Sequence, residues 1–201
     1  MSPKIKLIYF DGPGRAEFAR LAFAFGNVPF EDARVTGEQF GALKPSLPLG
    51  QVPAVEVDGK TFSQSIATAR YAAKLSGAYP SDPLKALRVD MVIDTFVDVT
   101  NIIVDIKWVE KNEDAKAAKT KKLLEETLPK TFTALEKMID GKFFAGDEIT
   151  LADIGLFDRV EYGIKAHFPE FDVSKFSKLS AIIAAVKAHP NIAAYLAKHQ
   201  K

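Results

Sequence analysis

Two hydrophobic rhythms alternate along the amino-terminal part of the chain. Short apolar runs typical of strands take turns with the three- to four-residue spacing of amphipathic helices. The pattern predicts a strand at 4–10, a helix at 15–25, a strand at 30–35, a short helix at 36–44, a hairpin at 54–62 and a helix at 65–75. Asp58-Gly59 is a strong hairpin signal, and Gly77 is placed to end the last helix. The order βαβαββα predicts a mixed sheet with parallel early strands and a final antiparallel pair.

Strand patterns disappear in the second part of the chain, where only helical periodicity continues. Helical patterns run at 84–111, 114–139, 151–166 and from 175 onward, with a break expected near His189-Pro190. Thr150 and Asp153 have the spacing of a capping box at the start of a helix. The proline-rich segment 79–83 is the expected linker, so the predicted domains are 1–78 and an all-helical domain at 84–201.

Composition narrows the classes of function. The chain has 201 residues, 47% of them hydrophobic, and a net charge of +1, so no overall field favours nucleic acid or an anionic membrane. It contains no Cys, which excludes thiol catalysis and Cys-ligated zinc and fits a reducing compartment. Its three His residues are dispersed without ligand spacing, so no metal is expected. No apolar run approaches ~20 residues, and a cytoplasmic protein is expected.

Candidate chemistry begins at Tyr9, near the carboxyl end of the first predicted strand. A Gly-Pro-Gly turn separates Tyr9 from the next helix, and ligands bind at this position in open α/β sheets. Taken alone, Tyr9 is better explained as a core aromatic residue with a satisfied hydroxyl, and only the motifs around it favour a ligand site. Ser65 is expected as a helix N-cap, while its hydroxyl and the first helical N–H groups also suit a carboxylate. Val52-Pro53, if cis, would expose the Val52 backbone to an extended peptide, whereas a trans bond would be an ordinary strand start.

Several short motifs occur together in one order and spacing. They are Tyr9, Gly14-Arg15-Ala16-Glu17, Gln51-Val52-Pro53, Glu56-Val57-Asp58-Gly59 and Gln64-Ser65-Ile66-Ala67-Thr68-Ala69-Arg70-Tyr71. With these motifs the chain resembles a cytosolic glutathione transferase of the sigma-like type. The resemblance spans the whole chain and implies an α/β plus all-α fold, in which a thioredoxin-like domain is joined to an all-helical domain.

The resemblance implies a role for individual residues. The Tyr9 hydroxyl would donate a hydrogen bond to the sulfur of bound glutathione, and Arg15 would reinforce the thiolate electrostatically. The Val52 backbone, beside a cis Pro53, would pair with the cysteinyl backbone. The other implied contacts are Gln64 and Ser65 at the γ-glutamyl carboxylate, and Lys44 and Gln51 at the glycyl end.

Two further positions follow from the same resemblance. Phe40 stands where the family often has a Trp that donates to the glycyl carboxylate, and a phenyl ring cannot donate. Asp98 would reach across a two-fold interface to the ammonium group of glutathione bound to a partner subunit, which implies a homodimer.

The second substrate is implied to be a small hydrophobic electrophile bound between the domains. Phe10, Gly14 and Trp108 are candidate walls of its pocket, although core packing explains Trp108 nearly as well. Conjugation, peroxide reduction and isomerisation stay open, as does a non-catalytic, ligand-carrying relative. We therefore expect a glutathione transferase that uses glutathione as co-substrate, without a metal, a nucleic-acid partner or a membrane partner.

Overall fold

The sheet is built around the first strand of the chain. The computed structural model describes residues 3–199. The strands are β1 (Ile5–Phe10), β2 (Glu31–Val35), β3 (Ala54–Val57) and β4 (Lys60–Ser63), in the spatial order β2-β1-β3-β4. β2 runs parallel to β1, and β3 runs antiparallel to both β1 and β4. The mixed sheet expected from the sequence is confirmed.

The register leaves the end of β1 unpaired on one side. β1 pairs with β2 as far as Phe10, but its pairing with β3 ends at Ile8, opposite Ala54. Pro53, which precedes Ala54, has no backbone N–H to donate to a ladder. In the sheet, Tyr9 and Phe10 are therefore bonded only to β2, and the other side of the strand end is open to a cavity.

The first part of the chain also contains three helices, two of which pack closely on one another. They are α1 (Glu17–Phe25), α2 (Gly37–Leu43) and α3 (Ser65–Ser76). α1 and α3 pack together through buried alanines, and Gly26, just after α1, lies against Ser76 at the end of α3. A Cβ added to Gly26 would lie 2.4 Å from the Cα of Ser76, so only glycine fits without a shift of α3. Gly77 ends α3 with a φ of 79°, as the sequence predicts.

The second part of the chain is helical. Its helices are α4 (Pro83–Val104), α5 (Glu113–Lys122), α6 (Leu128–Met138), α7 (Leu151–Asp158), α8 (Lys165–His167) and α9 (Ser177–Ala188). Segments of π-helix follow α4, α5 and α7, at Asp105–Val109, Leu123–Thr127 and Arg159–Ile164. The three long helices expected from the pattern are thus interrupted, because one wider turn shifts the apolar spacing too little to be recognised in sequence.

The predicted capping box at Thr150 and Asp153 begins α7. The Asp153 carboxylate is fully buried and accepts hydrogen bonds from the N–H and hydroxyl of Thr150, both at 2.7 Å, and from the Phe144 N–H at 3.1 Å. Burial raises the pKa of Asp153, while these hydrogen bonds act in the opposite direction. The cluster fixes the start of α7 to the loop before it.

The last helix, α10 (Pro190–His199), begins at the predicted proline break. It packs on α1, where the Tyr195 hydroxyl donates to a carboxylate oxygen of Glu17 at 2.8 Å. By compactness, residues 189–199 group with residues 3–79, and Pro80–Ala188 form a second unit. The boundaries of folding domains at 1–78 and 84–201 stay a prediction.

Candidate functional site

A cavity of about 460 Å³ lies in the first unit, beside the open end of β1. Three chain segments and α2 contribute its walls. The lining residues are Phe10, Arg15, Phe40, Gln51, Val52, Pro53, Gln64 and Ser65. Seven of these are positions for which the resemblance implied a role toward glutathione, and the eighth, Phe10, was expected to form a wall of the acceptor pocket.

Tyr9 lies at the edge of this cavity rather than among its lining residues. The side chain is half-buried, and its hydroxyl oxygen accepts a hydrogen bond from the backbone N–H of Arg15 at 3.1 Å. A hydroxyl that accepts one hydrogen bond still has its own proton to donate. The Arg15 N–H thus holds the Tyr9 hydroxyl next to a cavity-lining residue. The hydroxyl proton is not used in that hydrogen bond.

The turn between β1 and α1 can pass this close to Tyr9 because of Gly14. Its φ is +42°, a left-handed conformation that L side chains rarely adopt. A Cβ at this position would lie 2.5 Å from the Tyr9 hydroxyl oxygen. Both the backbone conformation and the space available therefore require glycine. The neighbouring Gly12 has nothing within 4 Å of an added Cβ.

The start of α3 presents free helical N–H groups to the cavity. Gln64, with a φ of 80°, is the N-cap, and Ser65 is the first helical residue. The expectation that Ser65 caps α3 is therefore wrong, because the left-handed backbone of Gln64 places the helix start one residue earlier. α3 has no side-chain cap and no acidic residue in its first turn, so the positive end of the helix is available to an anion.

The segment before β3 forms another wall. The Val52-Pro53 peptide bond is cis, as the resemblance implied. Within residues 3–199 the Val52 backbone makes no hydrogen bond to other backbone groups. Gln51 is exposed, and Lys44 lies beside the preceding residue, Gly50, where an added Cβ would be 3.5 Å from the Lys44 side chain. Lys44 itself is not a lining residue.

Phe40 gives this cavity an aromatic side. Its ring meets that of Phe10 edge to face at 5.3 Å, and Phe10 meets Tyr9 in the same way at 5.5 Å. These contacts suit hydrophobic packing and offer no hydrogen-bond donor at Phe40. A polar ligand end at this side must therefore rely on neighbouring polar residues.

Comparison with known proteins decides the family. Models of the glutathione S-transferase N-terminal and C-terminal domains match residues 5–74 and 97–199. A hematopoietic prostaglandin D synthase of Gallus gallus is 34% identical over 99% of this chain and 98% of its own length. A glutathione S-transferase of Anopheles gambiae is also 34% identical, over 98% and 97% of the two chains. The solved structure of a Fasciola hepatica sigma class GST superposes with a TM-score of 0.85 at 29% identity, covering 100% and 99%.

The chain belongs to the glutathione S-transferase family. It is an enzyme of the glutathione transferase type, and glutathione is the substrate that this family shares. A thioredoxin-like sheet domain followed by an all-helical domain is the glutathione transferase fold, so the predicted fold class is confirmed. The sigma-like resemblance is confirmed as well.

The glutathione transferase cavity has a buried charged neighbour that sequence reasoning missed. Arg20 in α1 is fully buried, and its guanidinium bonds Glu17, Asp32 and the carbonyl of Gly12. The Glu17 carboxylate also accepts a hydrogen bond from Tyr195. Burial, together with the negative charge of Glu17, raises the pKa of Tyr195. A sequence signal existed, because Glu17 and Arg20 stand at i and i+3 within an otherwise apolar helix.

Asp98 and Trp108 lie in the second unit. Asp98 is exposed on α4. The Trp108 side chain is 56% exposed and meets His167 edge to face at 5.2 Å, so core packing does not explain it. The roles of Asp98 toward glutathione and of Trp108 toward the acceptor stay predictions.

Among residues 3–199, no group of three or more His, Cys, Asp or Glu side chains is arranged to hold a metal ion. In that same range, no single helix is both long and apolar enough to span a bilayer, and only α9 and α10 taken together would pass by length and composition.

Proposed function

We propose that this glutathione transferase activates the thiol of glutathione through the Tyr9 hydroxyl and directs the thiolate at hydrophobic electrophiles. The observation that carries the proposal is the hydrogen bond from the Arg15 N–H to the Tyr9 hydroxyl oxygen. This bond orients the phenol beside the cavity and leaves its proton available to a sulfur atom there. Detoxification of such electrophiles in the cytosol is the corresponding proposed role.

The energy required is within reach of such a bond. A free thiol has a pKa of about 8.5, so most of it is protonated at neutral pH. A shift of about two units requires roughly 2.7 kcal/mol of preferential thiolate stabilisation. A hydrogen bond to an ionised acceptor in a partly dry site supplies a large share of this energy. The exposed Arg15 side chain adds a positive charge on the same side of the cavity.

The remaining walls match the other parts of the tripeptide. The uncapped start of α3, with Gln64 and Ser65, suits the γ-glutamyl carboxylate. The unpaired backbone of Val52 suits the cysteinyl backbone, by the strand-addition mode of peptide binding. At the glycyl end Phe40 provides no donor, so Lys44 and Gln51 carry the recognition of that carboxylate.

A homodimer is part of this proposal, with Asp98 of each subunit reaching the glutathione ammonium group in its partner. Each unit has an apolar surface of the kind that interfaces cover. In the first unit, Phe62 is 52% exposed beside a groove of about 260 Å³ with a mainly apolar lining. In the second, Leu84, Leu87 and Met91 follow one side of α4 and are all exposed. Asp98→Ala should weaken glutathione binding about threefold by calorimetry, and unchanged affinity would contradict this role.

Replacement of the phenol tests the proposed chemistry directly. Tyr9→Phe should lower the rate of conjugation to an electrophilic aryl halide by more than about tenfold at pH 7. Tyr162→Phe, which removes a phenol in the Arg159–Ile164 segment of the second unit, serves as the control. A panel of aryl halide, organic hydroperoxide and isomerisable lipid separates the three reactions. A protein that binds glutathione yet turns over none of them would instead be a ligand-carrying relative, the candidate favoured by Phe40.

A further inference from the structure

We propose that Arg20 is a positioning residue for the Tyr9 hydroxyl, acting through the turn between β1 and α1. This inference rests on the proposed function, because it concerns the residue that carries that function. Arg20 does not line the cavity, and it is fully buried. Its effect on chemistry must therefore be transmitted through the groups that it contacts.

The first contact is with the turn itself. The Arg20 Nη1 donates to the carbonyl oxygen of Gly12 at 2.7 Å and lies 3.4 Å from that of Pro13. The Pro13 carbonyl also accepts the Glu17 backbone N–H at 3.0 Å, at the start of α1. Two consecutive carbonyl groups of the turn are thus fixed from below by one guanidinium and one helix.

The fixed part of the turn leads directly to the Tyr9 hydrogen bond. Gly14 follows Pro13 in its left-handed conformation, and the next residue, Arg15, donates its N–H to the Tyr9 hydroxyl. Any rotation of the Gly12 and Pro13 peptide planes would move this N–H, since only two residues intervene. The position of the donor depends on the carbonyl groups that Arg20 holds.

The second contact is with the tyrosine ring. The central carbon of the Arg20 guanidinium lies 5.9 Å from the centroid of the Tyr9 ring, within the range of a cation–π interaction. One side chain therefore touches both partners of the Tyr9–Arg15 hydrogen bond: the ring of the acceptor and the turn that carries the donor.

The guanidinium is in turn held rigidly. Glu17 accepts from Nη1 at 3.1 Å and Asp32 accepts from Nε at 2.9 Å, so two carboxylates fix its plane. Stability alone does not call for this arrangement, because apolar replacements of buried ion clusters are often neutral or stabilising. A lysine keeps the charge but lacks the planar fork that reaches Gly12, Glu17 and Asp32 together.

A double-mutant cycle between Arg20→Lys and Tyr9→Phe tests the proposal. With saturating glutathione and an aryl halide, Arg20→Lys should lower kcat about tenfold and leave the KM for glutathione within about twofold, because a misplaced hydroxyl affects the reacting sulfur more than binding. The pKa of the bound thiol, followed by the ultraviolet absorbance of the thiolate, should rise. In the Tyr9→Phe background, Arg20→Lys should have almost no further effect.

Arg34→Lys is the matched control. Arg34 also binds Asp32, at 3.0 Å, but its second ion pair is with Asp11, at 2.7 Å, and it is not a lining residue. It should leave kcat and the thiol pKa unchanged. If Arg20→Lys does not fold, Glu17→Gln weakens one of the bonds that hold the guanidinium, and about threefold lower kcat is expected, again only when Tyr9 is present.

Two outcomes overturn this inference while the proposed function stands. In one, Arg20→Lys lowers kcat equally in both backgrounds, as a structural role would. In the other, it changes neither kcat nor the thiol pKa. The proposed function fails separately if the unaltered enzyme does not ionise bound glutathione at neutral pH, or if Tyr9→Phe has no effect.

Discussion

Each unit of the molecule buries a carboxylate close to the start of a helix, and the two are used differently. Asp153 in the second unit is bonded by Thr150 and Phe144, which precede it by three and nine residues and carry no charge. Glu17 in the first unit is bonded by Arg20 and Tyr195. The hydrogen bonds of Asp153 therefore stay within the chain segment around the start of α7.

The bonds around Glu17 continue outward instead. Through Arg20 they reach the turn beside the cavity, and through Tyr195 they reach the last helix. Burial alone therefore does not distinguish a structural carboxylate from one that supports a functional site. What distinguishes the two is whether their hydrogen bonds end locally or lead to a group that faces ligand.

Gly14→Ala should give the largest loss of activity, because Gly14 lies in the turn where the hydrogen bonds of Glu17 and Arg20 reach the cavity. The added Cβ would meet the Tyr9 hydroxyl at 2.5 Å and oppose the left-handed backbone. Tyr9 or the turn must move, and a displacement of about 1 Å costs about a hundredfold in rate. Conjugation kinetics on the folded variant measure this loss.

Gly12→Ala is the control for that substitution. It adds the same methyl group two residues away, where no atom lies within 4 Å. It should retain kcat within about twofold and leave the melting temperature nearly unchanged. Equal losses in the two variants would mean that the turn tolerates no side chain for reasons unrelated to Tyr9.

Asp153→Asn should reduce stability without reducing chemistry. An amide has one acceptor oxygen where the carboxylate has two, which together accept three hydrogen bonds, and its NH₂ group would face donors, so a loss of about 2 kcal/mol is expected in urea unfolding. The exposed Asp147, which accepts one hydrogen bond from Lys142 at 3.2 Å, gives the control Asp147→Asn. A fall in kcat of folded Asp153→Asn would show that this cluster also serves the site.

The charge of Asp153 adds a pH dependence. Its folded pKa is raised above the ordinary 3.8, so the folded state holds the proton more tightly than the unfolded state. This contribution favours folding below pH 3.8 and is lost as pH rises through the folded pKa. The difference in unfolding free energy between the unaltered enzyme and Asp153→Asn should therefore decrease as pH rises across that window.

The sequence predicted the regions with local signals and missed those that depend on distant contacts. The strands, the Asp58-Gly59 hairpin and the Thr150 capping box depend on neighbouring residues, and the structure confirms them. Arg20 was missed because its role depends on Asp32 in another strand and on turn carbonyls that carry no sequence signal. The N-cap of α3 was misplaced because the positive φ of Gln64 has no recognisable residue preference.

Glu110→Gln should give the smallest effect, a small change in melting temperature. Glu110 is a third carboxylate, and its hydrogen bonds are local and close to solvent. Its oxygens accept from the Lys119 ammonium at 2.7 Å and from the N–H groups of Lys111 and Asn112, both at 2.9 Å. The Lys119 hydrogen bond, with those backbone bonds, lowers the pKa of Glu110 from 4.5 to about 2. The stabilisation is therefore present above pH 4.5 and is lost as pH falls through about 2.

Melting temperatures across this range measure the effect. Glu110→Gln should melt slightly below the unaltered enzyme at pH 7, and the gap should close as pH falls through about 2, below which both side chains are neutral. Glu125→Gln, whose carboxylate lies 4.0 Å from Lys121, should show almost no gap at any pH. Since the Glu110 network ends locally, kcat at pH 7 should be unchanged. A gap that is constant with pH would mean that shape rather than charge at Glu110 supports this segment.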